Sequence, residues 1–193
     1  MKLRTFKGGV HPYEGKELTE HKPIRLLMPV GELVYPLSQH IGAPAKALVA
    51  KGDTVLVGQR IGEAGGFISS HIVSGVSGTV KAVEPRRMVN GAKAMSIVVE
   101  NDGEFRTVEG YGASRDAAAM TKEEIRAAIK DAGIVGLGGA GFPTHVKLTP
   151  KDDTKIDYVL VNGAECEPYL TSDYRLMLEE PEALVKGLGI MLR

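Results

Sequence analysis

The sequence has 193 residues, 43% of them hydrophobic and 25% charged, the proportions of a globular chain able to bury one large core or two small ones. Its 24 basic residues balance 24 acidic ones, so no net field selects nucleic acid or an anionic membrane. A single cysteine, Cys166, excludes an internal disulfide and cannot alone hold an iron–sulfur cluster or a structural zinc. No apolar run approaches the roughly 20 residues of a membrane helix, so direct membrane insertion is not expected.

Residues 1 to 30 are polar and rich in turn formers (GGVHPYEGK, then KPIRLLMP) and read as an extended arm. His11 in this arm reads as a surface or packing histidine rather than a metal ligand. From residue 31 to about 110, short alternating runs are separated by glycine: ALVAKGD, TVLVGQRIGEAGG, FISSHIVSGVSGTVKAVE and AMSIVVENDG. Turn signals at this spacing predict a compact all-β unit. The adjacent Ser69, Ser70 and His71 only superficially resemble a nucleophile and its base, because neighbouring strand residues point to opposite faces.

The periodicity changes after a loop, and we place the domain boundary between about 105 and 120. TKEEIRAAIKDAG opens with Thr121 and Glu124, a capping box, and Ile125, Ala128, Ile129 and Ala132 mark one apolar helical face. Gly133 suits a left-handed C-terminal cap. Ile156 to Val161 reads as a buried strand that delivers a polar loop at its end, and two helices follow, the second beginning near Pro181. One clear strand makes an incomplete α/β sheet, so the sequence is expected to be part of a longer protein. The fold class is α+β: an all-β domain over 31–110, then the first part of an α/β domain over 111–193.

The stretch VGLGGAGFPTHVKL contains G-x-G-x-x-G, but a helix precedes it and Phe142-Pro143 follows where a dinucleotide fold requires helix continuation. The Walker A spacing is also absent. Adjacent glycines turn backbone N–H groups toward one anion, and Lys147 adds a point charge. The competing reading is a helix cap followed by a flexible connector. Glu165 and Glu167 flank Cys166, a poor geometry for a metal, and two carboxylates disfavour its thiolate, so Cys166 reads as a small packed residue. No metal ligands and no catalytic side chain are assigned.

Two families supply further expectations. Residues 42–84 resemble the barrel-sandwich hybrid of biotinyl and lipoyl carrier domains, but Phe67 to Val73 has no lysine at the hairpin tip, which argues against carrier function. GLGGAGFPTHVKL is similar to the flavin-binding loop G-x-G-G-A-G-F-P-T-G-x-K-W of the NADH-oxidising subunit of respiratory complex I, departing at His145 and Leu148. VNGAECEPYLTSDYRLM resembles that family's N-A-D-E-G-E-P-G-x-x-K-D-R, departing at Ala164, Cys166 and Tyr169. With FKGGVHPYEGK and the barrel unit, the arrangement resembles the RnfC family, part of the Rnf electron transport complex, over nearly the whole chain.

That resemblance implies FMN and NAD(H) as cofactors, with 4Fe-4S clusters only in a further part carrying C-x-x-C-x-x-C-x-x-x-C-P runs. It implies that Gly136, Gly138, Gly139, Gly141 and Lys147 hold the flavin phosphate, and that Asn162 orients the ring or ribityl chain. Phe142 would stack on adenine, while Glu165 and Glu167 would accept hydrogen bonds from the nicotinamide nucleotide. The expected function is hydride exchange between NAD(H) and flavin, peripheral on the cytoplasmic side of a membrane complex whose other subunits are partners. The alternative is a non-catalytic docking module with a degenerate nucleotide loop.

Overall fold

The computed structural model describes residues 8–10 and 12–193, so the reading of His11 lies outside the described residues. The chain divides into two compact units: Met28–Ile156, and the described residues up to Leu27 together with Asp157–Arg193. We refer to them as the barrel unit and the terminal unit. In this division the helix and glycine loop that follow the β domain group with it.

The barrel unit contains seven strands: β1 (Glu32–Pro36), β2 (Lys46–Ala47), β3 (Thr54–Val55), β4 (Arg60–Glu63), β5 (Ile72–Val73), β6 (Gly78–Arg87) and β7 (Lys93–Asn101). They form two antiparallel sheets, ordered β1-β7-β6-β3 and β2-β4-β5. Short strands and frequent left-handed glycines such as Gly52, Gly58 and Gly91 let the chain reverse within a few residues, as the turn spacing predicts. Val55, Val80, Ile97 and Val99 of the first sheet and Ile61 and Ile72 of the second share one buried core with Leu37 and Val76. Pro85, which cannot donate to a ladder, sits where β6 pairs only with β7.

A second layer closes the barrel unit. Helix α1 (Lys122–Asp131) starts with the expected capping box: Thr121 Oγ1 accepts from the Glu124 N–H, and the Glu124 carboxylate accepts from the Thr121 N–H at 2.7 Å. Those bonds hold the Glu124 carboxyl below its ordinary pKa. One turn of helix, α2 (Thr144–Lys147), follows the glycine loop and is tied to α1 by Arg126 Nε donating to the Leu148 carbonyl at 2.7 Å. Arg60 of β4 pairs with Asp131 at the end of α1 at 2.8 Å.

Three buried histidines lie in this unit, and none behaves as a catalytic base beside a serine. The His40 ring faces the backbone of Ser70, Ser69 Oγ donates to the Ala43 carbonyl, and His71 Nδ1 accepts from the Ala64 N–H at 3.1 Å. The hairpin tip is thereby folded onto its own domain. His145 is 6% exposed, and neither of its ring nitrogens makes a well-formed hydrogen bond among the described residues, the Phe67 backbone interacting with the ring only enough to oppose in part the lowering of its pKa.

In the terminal unit, residues 12–27, part of the expected extended arm, pack with the end of the chain. A 3-10 turn at Lys16–Leu18 is followed, after the barrel unit, by α3 (Ser172–Glu179) and α4 (Pro181–Met191). The strand expected over 156–161 does not form: the segment is extended but pairs with no strand among the described residues, leaving Tyr158 and Leu160 84% and 90% exposed. An alternating apolar run becomes a strand only where a neighbouring edge accepts its hydrogen bonds. Among the described residues no helix is long and apolar enough to cross a membrane.

The packing of the barrel unit can be tested at two kinds of site. Ile97→Ala, at a fully buried position on the inner strand β7, is expected to cost about 2–5 kcal/mol, read as a lower urea midpoint with unchanged m. The pKa values of His71 and His145 are lowered, chiefly by burial, with the cations of Arg60 and Lys130 adding at His71 and that of Lys130 at His145. The unfolded chain therefore takes up protons first as pH falls through about 6.5, so stability is full above that value and declines below it. His145→Leu is expected to raise stability at pH 7.5 by about 1 kcal/mol and to flatten the loss between pH 7 and 5, both measurable by urea titration.

Candidate functional site

The glycine loop is built on a short antiparallel neck. Gly136 N–H donates to the Phe142 carbonyl at 2.8 Å, Thr144 N–H donates to the Ile134 carbonyl at 3.1 Å, and Val135 bridges to Pro143. Residues 137–141 project from that neck. Leu137 is 95% exposed, Phe142 is half-buried, and Lys147 is exposed at the end of α2.

The glycines around this loop do different work. At Gly133, φ +67°, an added Cβ would lie 2.7 Å from the His71 carbonyl oxygen; at Gly141, φ +58°, it would lie 2.8 Å from that of Gln39. Both ends of the loop are therefore pressed backbone to backbone against the β domain, at distances only glycine permits. Gly136 meets only ordinary contact, 3.6 Å from the Phe142 carbonyl oxygen. Gly139 needs glycine for its φ of +103°, whereas Gly138 has ordinary φ and nothing within 4 Å of an added Cβ. Nothing in the packing of the chain requires glycine at 138.

The amides of Leu137, Gly138, Gly139, Ala140 and Gly141 donate to no acceptor among the described residues. Five successive unpartnered N–H groups beside two open glycine positions are the physical makings of an anion cradle. Lys147 lies exposed on the one-turn helix that follows the loop. His145, which departs from the flavin-loop pattern, turns its ring into the buried side of the unit and leaves the cradle's outer face clear.

The second group of candidate residues lies in the terminal unit. Asn162 Oδ1 accepts from the Ala164 N–H at 3.0 Å, an Asx turn that sets the start of the loop. Glu165 Oε1 accepts from the Asp173 N–H at 2.9 Å and from Ser172 Oγ at 3.2 Å, so one carboxylate oxygen caps the first turn of α3. Glu167 is exposed. Cys166, expected to pack as a small residue, is instead exposed: Gly163 and Glu165 are half-buried in this extended segment, and Ala164 and Cys166 alternate to the open side.

Gly136, Gly138, Gly139, Gly141, Phe142 and Lys147 are thus grouped in the barrel unit, and Asn162, Glu165 and Glu167 in the terminal unit. Sequence reading does not single out Lys16 and Thr19, whose side chains bond to the carbonyls of Leu170 and Tyr169 at 2.8 and 3.2 Å. Backbone carbonyls leave no signature in a sequence; the Gly15-Lys16 turn is the only local signal. Among the described residues no group of three His, Cys, Asp or Glu side chains is placed to hold a metal ion.

Comparison with known proteins agrees with this architecture. Residues 4–104 match the RnfC barrel sandwich hybrid domain, and residues 129–193 match the Nuo51 FMN-binding domain. The chain is 46% identical, over its whole length, to 44% of the C subunit of the Na(+)-translocating ferredoxin:NAD(+) oxidoreductase complex of Acetobacterium woodii. It is 44% identical, over 99% of its length, to 42% of the corresponding subunit of the proton-translocating complex of Clostridium ljungdahlii. In Rhodobacter capsulatus, the C subunit of an ion-translocating oxidoreductase complex is 42% identical over 98% of the chain and 37% of the relative. The chain spans less than half the length of these relatives. With an RnfC barrel sandwich hybrid over more than half of its residues and a match to the Nuo51 FMN-binding domain behind it, the chain belongs to the RnfC family.

Proposed function

We propose that this chain is the FMN- and NAD(H)-binding part of an Rnf-type ferredoxin:NAD oxidoreductase subunit, peripheral on the cytoplasmic side of its membrane complex and docked to other subunits. The observation that carries the reading is the cradle at 137–141, where five amides have no partner among the described residues and Gly138 has no packing reason to be glycine. The flavin phosphate is held by the amides of this loop, with Lys147 supplying charge. Asn162 orients the ring or ribityl chain, Phe142 stacks on adenine, and Glu167 accepts hydrogen bonds from the nicotinamide nucleotide. Glu165 shares that role with the oxygen not turned to Ser172. The flavin, when bound, supplies hydride exchange with NAD(H) and one-electron transfer to 4Fe-4S clusters carried elsewhere in the protein. The protein's own contribution is to hold the phosphate, orient the ring and present acceptors to the nucleotide.

A fold-neutral substitution tests this directly. Gly138→Val places its side chain in open space, so thermal stability should stay within about 1 °C of wild type while FMN affinity of the full-length protein, read by flavin fluorescence, falls by at least roughly 100-fold. Lys147→Ala should weaken FMN by about tenfold and leave riboflavin binding unchanged, because riboflavin has no phosphate. Unaltered FMN affinity in both variants would remove the loop from the flavin site.

A further inference from the structure

Among the described residues of the terminal unit, Tyr169 is the non-glycine residue with a left-handed backbone. It has φ +67°, a left-handed conformation that is rare for a bulky side chain, at the position where the flavin-family pattern carries glycine. Such a conformation persists only when its surroundings impose it, and here the imposing groups come from residues 13–19. The Tyr169 N–H donates to the Glu14 carbonyl at 2.6 Å. The Tyr169 ring lies flush on buried Gly15, where any Cβ would overlap it, and meets the Tyr13 ring edge-on with centroids 6.2 Å apart. Thr19 Oγ1 donates to the Tyr169 carbonyl at 3.2 Å and accepts from Thr171 Oγ1 at 2.9 Å.

Lys16 completes the arrangement. Its Nζ donates to the carbonyl of Leu170 at 2.8 Å and to that of Glu167 at 3.3 Å, spanning the strained residue from both sides. Charge-assisted bonds of this kind are about twice as strong as neutral ones. The held segment runs from Glu165, whose carboxylate caps α3, through the exposed Glu167 to Thr171. Lys16, Glu165, Thr171 and Tyr174 also line an open cavity of about 210 Å³ with Glu20.

We propose that residues 13–19 are a positioning clamp for the nicotinamide-nucleotide contact, with Lys16 fixing through the carbonyls of Glu167 and Leu170 the loop that presents Glu167. The inference rests on the FMN/NAD(H) reading above, and it adds a role for a segment outside both motifs that carry that reading. Lys16 touches no substrate; it acts through the loop. Its loss releases the Glu167–Tyr169 backbone, so the nucleotide must order the loop on binding, and affinity falls by the fraction of time the loop is correctly placed.

The test uses the FMN-loaded full-length protein with NADH and an artificial electron acceptor. Lys16→Met should raise KM for NADH roughly tenfold while kcat and FMN affinity change less than about twofold, and Lys16→Arg should restore KM to within about threefold of wild type. Thr19→Val, which removes two bonds without touching the charge, should shift KM in the same direction. Amide hydrogen exchange supplies a readout independent of turnover: the Tyr169 N–H should be protected in wild type and should exchange at least roughly tenfold faster in Lys16→Met. Unchanged KM in both variants, or a Tyr169 amide unprotected in wild type, overturns the clamp and leaves the FMN reading standing. Equal losses of FMN and NADH binding that Lys16→Arg does not rescue reduce it to ordinary folding support and so overturn it as well. Failure of the wild-type protein to bind FMN at all is the separate outcome that removes the parent reading.

Discussion

The geometry of the barrel unit depends on two close approaches of backbone to backbone. Gly133 ends α1 against the His71 carbonyl, and Gly141 ends the loop against that of Gln39, each at a distance a Cβ would not permit. Between these anchors the chain has few residues in which to leave the β domain and return, and the hydrogen-bonded neck at Gly136–Phe142 consumes part of that length. The intervening segment is forced outward, with its amides left unpaired. A loop exposed by constraint at both ends is preorganised, so a ligand that pairs its amides does not also have to order it.

A comparable logic operates in the terminal unit, with side chains in place of glycines. Loop 162–171 forms no sheet hydrogen bonds among the described residues; Asn162 accepts from the Ala164 N–H, Glu165 ties the loop to α3 through the Asp173 N–H, and Lys16 and Thr19 bond loop carbonyls. Glu165 shows how a motif residue can serve two purposes. One oxygen stabilises the start of α3, where the helix's own orphan N–H groups and dipole favour a negative charge. Arg175, in the same helix, bonds to the Glu20 carbonyl and to Glu179. Glu179 in turn accepts from the Ile24 N–H. The segments at the two ends of the sequence are thus joined mainly through polar bonds, which explains why hydrophobic patterning gives no hint of their association.

What could be read from the sequence follows from how local each determinant is. The β domain is legible because alternation and glycine turns act over a few residues, and α1 is legible because its capping box is complete within four. Ile156–Val161 has the composition of a strand, but strand formation is a property of two segments, and composition describes one. The partners of residues 12–27 are not legible because Lys16 and Thr19 bind carbonyls, which every residue has. The four glycines of the loop look equivalent in a sequence. Their separation into anchors (Gly141, with Gly133 outside the motif), a left-handed turn residue (Gly139) and a position open on every side (Gly138) requires knowing what lies next to each.

That separation also decides what kind of anion site the loop can be. In the dinucleotide fold a long helix begins at the glycines and its dipole contributes to phosphate binding, but here the helix after the loop, α2, has four residues and starts beyond Pro143. A single turn supplies little dipole, so any attraction the loop has for an anion comes from its own amides. Amides hold an anion well only when their directions are fixed beforehand. The directions of the loop amides therefore depend on the anchors at Gly133 and Gly141, where the backbone meets the His71 and Gln39 carbonyls. In this chain the small β domain sets the backbone from which the glycine loop projects.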